Sequence, residues 1–183
     1  MQPLGGTYRI GSGTGHLRIK TTRTGLGRKA GHDLTIEAAS WSGDVAVDPA
    51  DPGRSSVTVT VDVASLEAVE GVGGLKALTD SDRADIKGTI RDKILRPGEH
   101  PTITFVSTVV AGSPESFTVT GDLTIMGTTR PITIEAGLGG DGRVRGAGTV
   151  VQSSWGIKPY SALAGALRLS DEVRVEFDLA PLS

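Results

Sequence analysis

The sequence predicts an all-β fold, an antiparallel barrel or sandwich of many short strands. Three observations predict it: side chains that alternate with a period of two, turn residues at hairpin spacing, and a single segment of helical period. An α/β sheet would need a helix between each pair of strands, and the chain has no such succession.

The alternation is clearest from Ser55 to Ser65, where Val57, Val59, Val61 and Val63 share one face while Thr58, Thr60 and Asp62 share the other. Residues 115–125 repeat it, with Phe117, Val119, Leu123 and Ile125 opposed to Thr118, Thr120, Asp122 and Thr124. Ile132, Ile134, Ala136 and Leu138 continue the pattern, and Val173, Val175, Phe177 and Leu179 close it against Arg174, Glu176 and Asp178. Weaker strands are read at 15–21, 32–39, 41–47, 102–110 and 143–151. Between them lie Asp48-Pro49-Ala50-Asp51-Pro52-Gly53, Met126-Gly127-Thr128-Thr129-Arg130-Pro131 and Gly139-Gly140-Asp141-Gly142, so sequential strands should be neighbours.

The helix is expected at about 80–94: Thr79 and Asp82 form a capping box, and Ile86, Ile90 and Ile94 recur along one face. That stripe must rest on something apolar, and the end of a barrel offers it. Gly71-Val72-Gly73-Gly74 reads as a loop, and residues 152–171 as a long irregular segment with a helical turn, an element of the barrel mouth.

Composition excludes several function classes. Nineteen basic against 21 acidic residues, with no basic stripe, exclude nucleic acid as an expected partner. The absence of cysteine removes disulfides, thiolate nucleophiles and the common zinc sites, and fits a reducing compartment. No stretch is long and apolar enough for a membrane span, and the start, Met1-Gln2-Pro3-Leu4, carries neither a basic leader nor an apolar run, so the expected location is cytoplasmic. The glycine runs at 11–15 and 71–74 lack the strand-to-helix order of phosphate loops, and there is no Gly-x-Ser-x-Gly elbow, so neither a cofactor nor a catalytic serine is expected.

Three blocks carry a resemblance. They are Asp48-Pro49-Ala50-Asp51-Pro52 through Val57-Thr58-Val59-Thr60-Val61, then Pro101-Thr102-Ile103-Thr104-Phe105, then Thr120-Gly121-Asp122-Leu123-Thr124-Ile125-Met126-Gly127-Thr128-Thr129-Arg130-Pro131. In this order, followed by Trp155-Gly156-Ile157 and Leu169-Ser170-Asp171-Glu172-Val173, the chain resembles the YceI-like family from about residue 7 to 180. The resemblance implies one domain over 1–183, a lipocalin-like eight-stranded barrel that holds a polyisoprenoid or similar amphiphile, no catalytic residues, and frequent pairing of copies into homodimers. The chain departs from the family where Asp85-Ile86-Lys87-Gly88-Thr89 and Ile94-Leu95 stand, and in a longer segment from Gly71 to Thr79.

An eight-stranded barrel either fills its interior with side chains or holds one small ligand, and the resemblance, rather than the pattern, points to the second. The expected ligand-binding residues are therefore the inward faces: His32, Leu34, Ile36, Val59, Val61, Phe105, Phe117, Val119, Leu123, Ile134 and Phe177, with Ile86 and Ile90 from the helix and Trp155 as a cap. His32 shares its parity with Leu34 and Ile36 and would meet a ligand's polar group, or else bond to backbone as an ordinary strand-end histidine. Arg28 and Lys29 form a basic loop suited to an anionic head group or simply to solvent. His16, His32 and His100 match no metal-ligand spacing. Two rivals to a lipid carrier stand beside it: a small enzyme using His32 as acid or base with a nearby carboxylate, and a filled barrel acting as a stress-response interaction module.

Overall fold

In the computed structural model, which describes residues 5–162, 165 and 167–183, eleven strands form one antiparallel sheet. They are β1 (Gly6–Gly11), β2 (Gly15–Lys20), β4 (Asp33–Ala38), β5 (Trp41–Val47), β6 (Ser56–Asp62), β7 (Leu66–Val72), β8 (Thr102–Ser113), β9 (Ser116–Ile125), β10 (Thr128–Leu138), β11 (Val144–Val151) and β14 (Glu172–Leu179). A second sheet joins the short β3 (Arg23–Thr24), β12 (Ser161–Ala162) and β13 (Leu167–Leu169) in the order β12-β13-β3.

Eleven strands reduce to the eight of a lipocalin-like barrel because three long strands are bent. β1 and β2 both pair with the continuous run β5 and β4, and that run pairs on its other side with β6 and β7. Hydrogen bonds carry the ladder across the bend: Ser12 N–H to Trp41 O, Asp62 N–H to Ser40 O, and Ala39 N–H to Ser65 O. Taken whole, the bent strands are followed by β8, β9, β10, β11 and β14, and β14 returns to pair with β2 from Arg174↔Lys20 to Leu179↔Gly15. The sheet thus curls round on itself, as expected of an up-and-down barrel.

Register follows the alternation. Val57, Val59 and Val61 turn inward while Thr58, Thr60 and Asp62 are exposed, and Val119, Leu123 and Ile125 are buried while Thr118 and Asp122 are exposed. The sequence reading missed β1, β7 and the small sheet. β7 occupies Gly71 and Val72, which read as loop, because Asp33↔Val72 and Leu34↔Gly71 pairing extends the strand into the glycine run. The irregular segment 152–171 does contain a helical turn, Gln152–Trp155, but also supplies β12 and β13.

The helix α1 (Asp80–Thr89) starts at the expected capping box: Thr79 Oγ1 accepts from Asp82 N–H at 3.1 Å, and Asp82 Oδ2 accepts from Thr79 N–H at 2.9 Å. The same bonds from Thr79 hold the Asp82 carboxyl below its usual range. α1 continues as a wider, π-type turn from Ile90 to Leu95, which carries Ile90, Ile94 and Leu95 toward the barrel interior. No helix among the described residues is long and apolar enough to cross a membrane.

Candidate functional site: an apolar cavity through the barrel

The barrel is hollow. A cavity of about 610 Å³ runs along its axis, within the range of small-molecule sites. At one end the walls are the β8–β9 and β10–β11 hairpins, with Ser113, Pro114, Leu138 and Val144, together with Pro49, Pro52 and Leu182. At the other are Thr21, His32, Gln152, Ile157 and the helix residues Ile86, Ile90 and Ile94. Among the described residues no large side chain is fully buried. Leu17, Ile19, Leu34, Val45, Val59, Ile134 and Val175 remain half-exposed although they point inward, because they face open space rather than one another.

Of the expected ligand-binding residues, β4 contributes Leu34 and Ile36, β6 contributes Val59 and Val61, and β8 contributes Phe105. Phe117, Val119 and Leu123 come from β9, Ile134 from β10 and Phe177 from β14, while Ile86 and Ile90 close in from the helix. His32 also reaches the cavity wall, just before β4 begins.

Trp155 stands apart from this group. It is buried behind the wall, where its Nε1–H donates to the carbonyl of Leu123 at 2.9 Å, and it does not line the cavity. The indole therefore anchors the 152–155 turn to β9 instead of capping the lumen. Trp41, which sequence reasoning placed only at a strand start, does line it.

Polar chemistry inside is sparse. His32 Nε2 lies 2.7 Å from the carbonyl of Lys76, so this nitrogen donates to it. Asp33 turns the other way, accepting from the backbone N–H of Arg23 at 2.8 Å. Among the described residues no carboxylate is hydrogen-bonded to His32, which is the partner an acid-base enzyme would need there.

The charges that do pair sit on the outer face. Glu37 accepts from His16 and Arg18; burial pushes its carboxyl up, but these two bonds more than offset this and leave it below its ordinary value. Asp178 is bound by Arg143 at 2.6 Å and by Arg145 at 3.4 Å, and its carboxyl too is lowered: partial burial raises it and the Arg143 bond outweighs that. His100 lies in the loop before β8. The wall is thus mostly hydrocarbon, and its polar and charged lining residues, among them Asp48, Asp85, Thr21, His32 and Gln152, lie toward its ends.

Comparison with known proteins agrees with this architecture. Protein YceI of Escherichia coli O6:H1 is 30% identical over 150 residues, and a UPF0312 protein of Enterobacter sp. strain 638 is 32% identical over 150 residues. Each alignment takes in 78% of this chain and 64% of the relative's length. Among solved structures, BcnA of Burkholderia cenocepacia superposes with a TM-score of 0.66 at 20% identity, covering 90% of this chain and 94% of its own. A polyisoprenoid binding domain from Saccharophagus degradans, implicated in plant cell wall breakdown, superposes with a TM-score of 0.56 at 12% identity, covering 97% of this chain and all of its own. The family model of the YceI-like domain matches residues 13–180, and with its barrel and its bent N-terminal strands the chain belongs to the YceI-like family.

Proposed function

We propose that this protein binds an amphiphile with an isoprenoid or fatty chain inside the barrel, and carries or sequesters it without transforming it. The observation that carries the reading is the end-to-end cavity of about 610 Å³ whose wall is almost wholly aliphatic and aromatic carbon. Such a wall rewards a long hydrocarbon: each methylene taken from water contributes about 0.8 kcal/mol, so ten of them contribute about 8 kcal/mol before the cost of ordering chain and complex. Selectivity then falls to a head group held at one end, where His32, Thr21 and Gln152 offer hydrogen bonds. The polyisoprenoid-binding domain from Saccharophagus degradans, which shares the fold, supports the same class of ligand.

The hollow lumen disfavours the filled-barrel module, and the His32–Lys76 bond disfavours an acid-base enzyme. The test is organic extraction of the purified protein followed by mass spectrometry, with thermal unfolding in the presence of isoprenoid quinones and fatty acids. A stoichiometric lipid, or a midpoint that climbs with added ligand, is expected. No lipid and no stabilisation by either class would end the proposal.

A further inference from the structure

The large exposed hydrophobic residues of this chain are unevenly placed. Among the described residues Val106 and Val109 are exposed on β8 and Val69 on β7, but the two most exposed, Leu26 at 101% and Leu75 at 81%, together with Val72 and Tyr160, belong to the loops and strand ends at the helix end of the barrel. Pairing and contacts tie these segments together. Leu26 follows β3, whose Thr24 pairs with Arg168 of β13; Tyr160 accepts from Leu169 N–H; and Arg23 of β3 packs against Gly73, between Val72 and Leu75. The same segments line the cavity through Gly31, His32, Tyr160 and Leu167, so the apolar tips stand at this end of it.

Charge at these tips runs against the whole chain, whose net charge is -2. Arg28, Lys29, Lys76 and Lys158 are all exposed and stand beside the apolar tips, and none of them forms an ion pair among the described residues. Of the acids at this end, Asp80, Asp82 and Asp85 belong to α1, where Asp82 is close enough to Lys76 to feel its charge and Asp85 lines the cavity, and Asp33 is taken up by Arg23. Exposed aliphatic tips beside unpaired cations are the combination that a negatively charged lipid surface attracts: the cations bring the protein to the head groups and the leucines enter among them.

We infer that the helix end of the barrel docks on an anionic phospholipid bilayer, with Leu26 and Leu75 inserted and Arg28, Lys29, Lys76 and Lys158 on the head groups. This orientation sets this end of the cavity against the bilayer, where an amphiphile passes between membrane and lumen without crossing water. The docking itself does not depend on the carrier reading, because it uses residues outside the lumen; the passage of ligand does.

The test is flotation of the full chain with vesicles of phosphatidylcholine alone or mixed with phosphatidylglycerol, both free of isoprenoids, at low and high salt. Wild-type protein is expected to float with the anionic vesicles, less so at high salt, and Leu26→Ser/Leu75→Ser is expected to lower this binding roughly tenfold while unfolding normally. Arg28→Ser/Lys29→Ser should remove much of the salt-sensitive part. Absence of binding to anionic vesicles would overturn the inference, as would equal binding by the double leucine variant. A dimer in sedimentation that Leu26→Ser/Leu75→Ser dissolves, without vesicle binding, would overturn it in favour of contact between two copies. Failure of lipid extraction with vesicle binding intact would strike the carrier proposal and leave the docking.

Discussion

The ring of Phe177 rests on Gly146, its direct partner across β14 and β11: a Cβ at 146 would stand 2.5 Å from Phe177 Cζ. Phe105 does the same on Gly121, again at 2.5 Å. Two of the largest side chains of the lumen are therefore accommodated by glycines in the wall, which leaves more of the axis open. Gly146→Val should push Phe177 off its seat, costing about 1–3 kcal/mol of stability and narrowing the cavity. Chemical denaturation and lipid titration together check it: the variant must lose both stability and affinity, and an unaltered affinity would show that Phe177 does not border the bound chain.

Filling the hollow from the other side should separate folding from binding. Val59 is half-exposed to the lumen, so Val59→Phe has space to enter and is expected to alter stability by less than about 1.5 kcal/mol. Binding of any chain that spans the cavity should fall at least roughly tenfold, equivalent to about 1.4 kcal/mol. Isothermal titration beside a denaturation curve gives both numbers, and full retention of binding would place the ligand elsewhere.

Acid should loosen the hairpin end first. Asp141 is lowered from 3.8 to about 2, chiefly by its bond to Arg145 and then by the backbone N–H of Arg143, while Asp178 is also lowered against the same two arginines. Because the folded values lie below the unfolded ones, the stabilisation is complete above the ordinary carboxylate range and disappears as pH falls through the folded values. Protection of the β10 and β11 amides, taken relative to their intrinsic exchange rates, should fall between about pH 4 and 2, and Asp141→Asn should flatten that fall. Both carboxylates are close to solvent, so the effect on global stability is small and local exchange is the sensitive probe.

Much of this architecture was legible in single residues. The inward set Val59, Val119, Leu123, Ile134 and Phe177 follows from parity alone, since a strand's period admits one inner face, and the Thr79–Asp82 box marks where the helix begins. The bends were not, because what holds them is mostly backbone pairing such as Asp62 N–H to Ser40 O, and the Asp62 and Ser65 side chains that reinforce one of them read in sequence as ordinary turn residues. β7 was hidden by Gly71, which signals a turn locally and is overruled by pairing with Leu34 of β4, whereas Gly73 does stay in the loop. Hollowness was likewise invisible: Val and Ile suit a filled tube as well as an open one, and only the seating of Phe105 and Phe177 on distant glycines distinguishes them.

The two tryptophans give the last prediction. Both are buried, but Trp155 Nε1–H has the Leu123 carbonyl, whereas Trp41 Nε1 is buried without a hydrogen-bond partner among the described residues. Replacing Trp155 by Phe removes a made bond to a strand carbonyl thirty-two positions away, at a cost of about 0.5–1.5 kcal/mol. Trp41→Phe instead deletes a donor that is already unsatisfied, so the gain from removing it offsets part of the lost ring area, and its net cost should be the smaller of the two. Lipid affinity should move the opposite way, since Trp41 borders the cavity and Trp155 does not. Paired denaturation and binding measurements would reveal the crossover; a Trp155→Phe variant that kept its stability but lost its ligand would return that indole to the lumen.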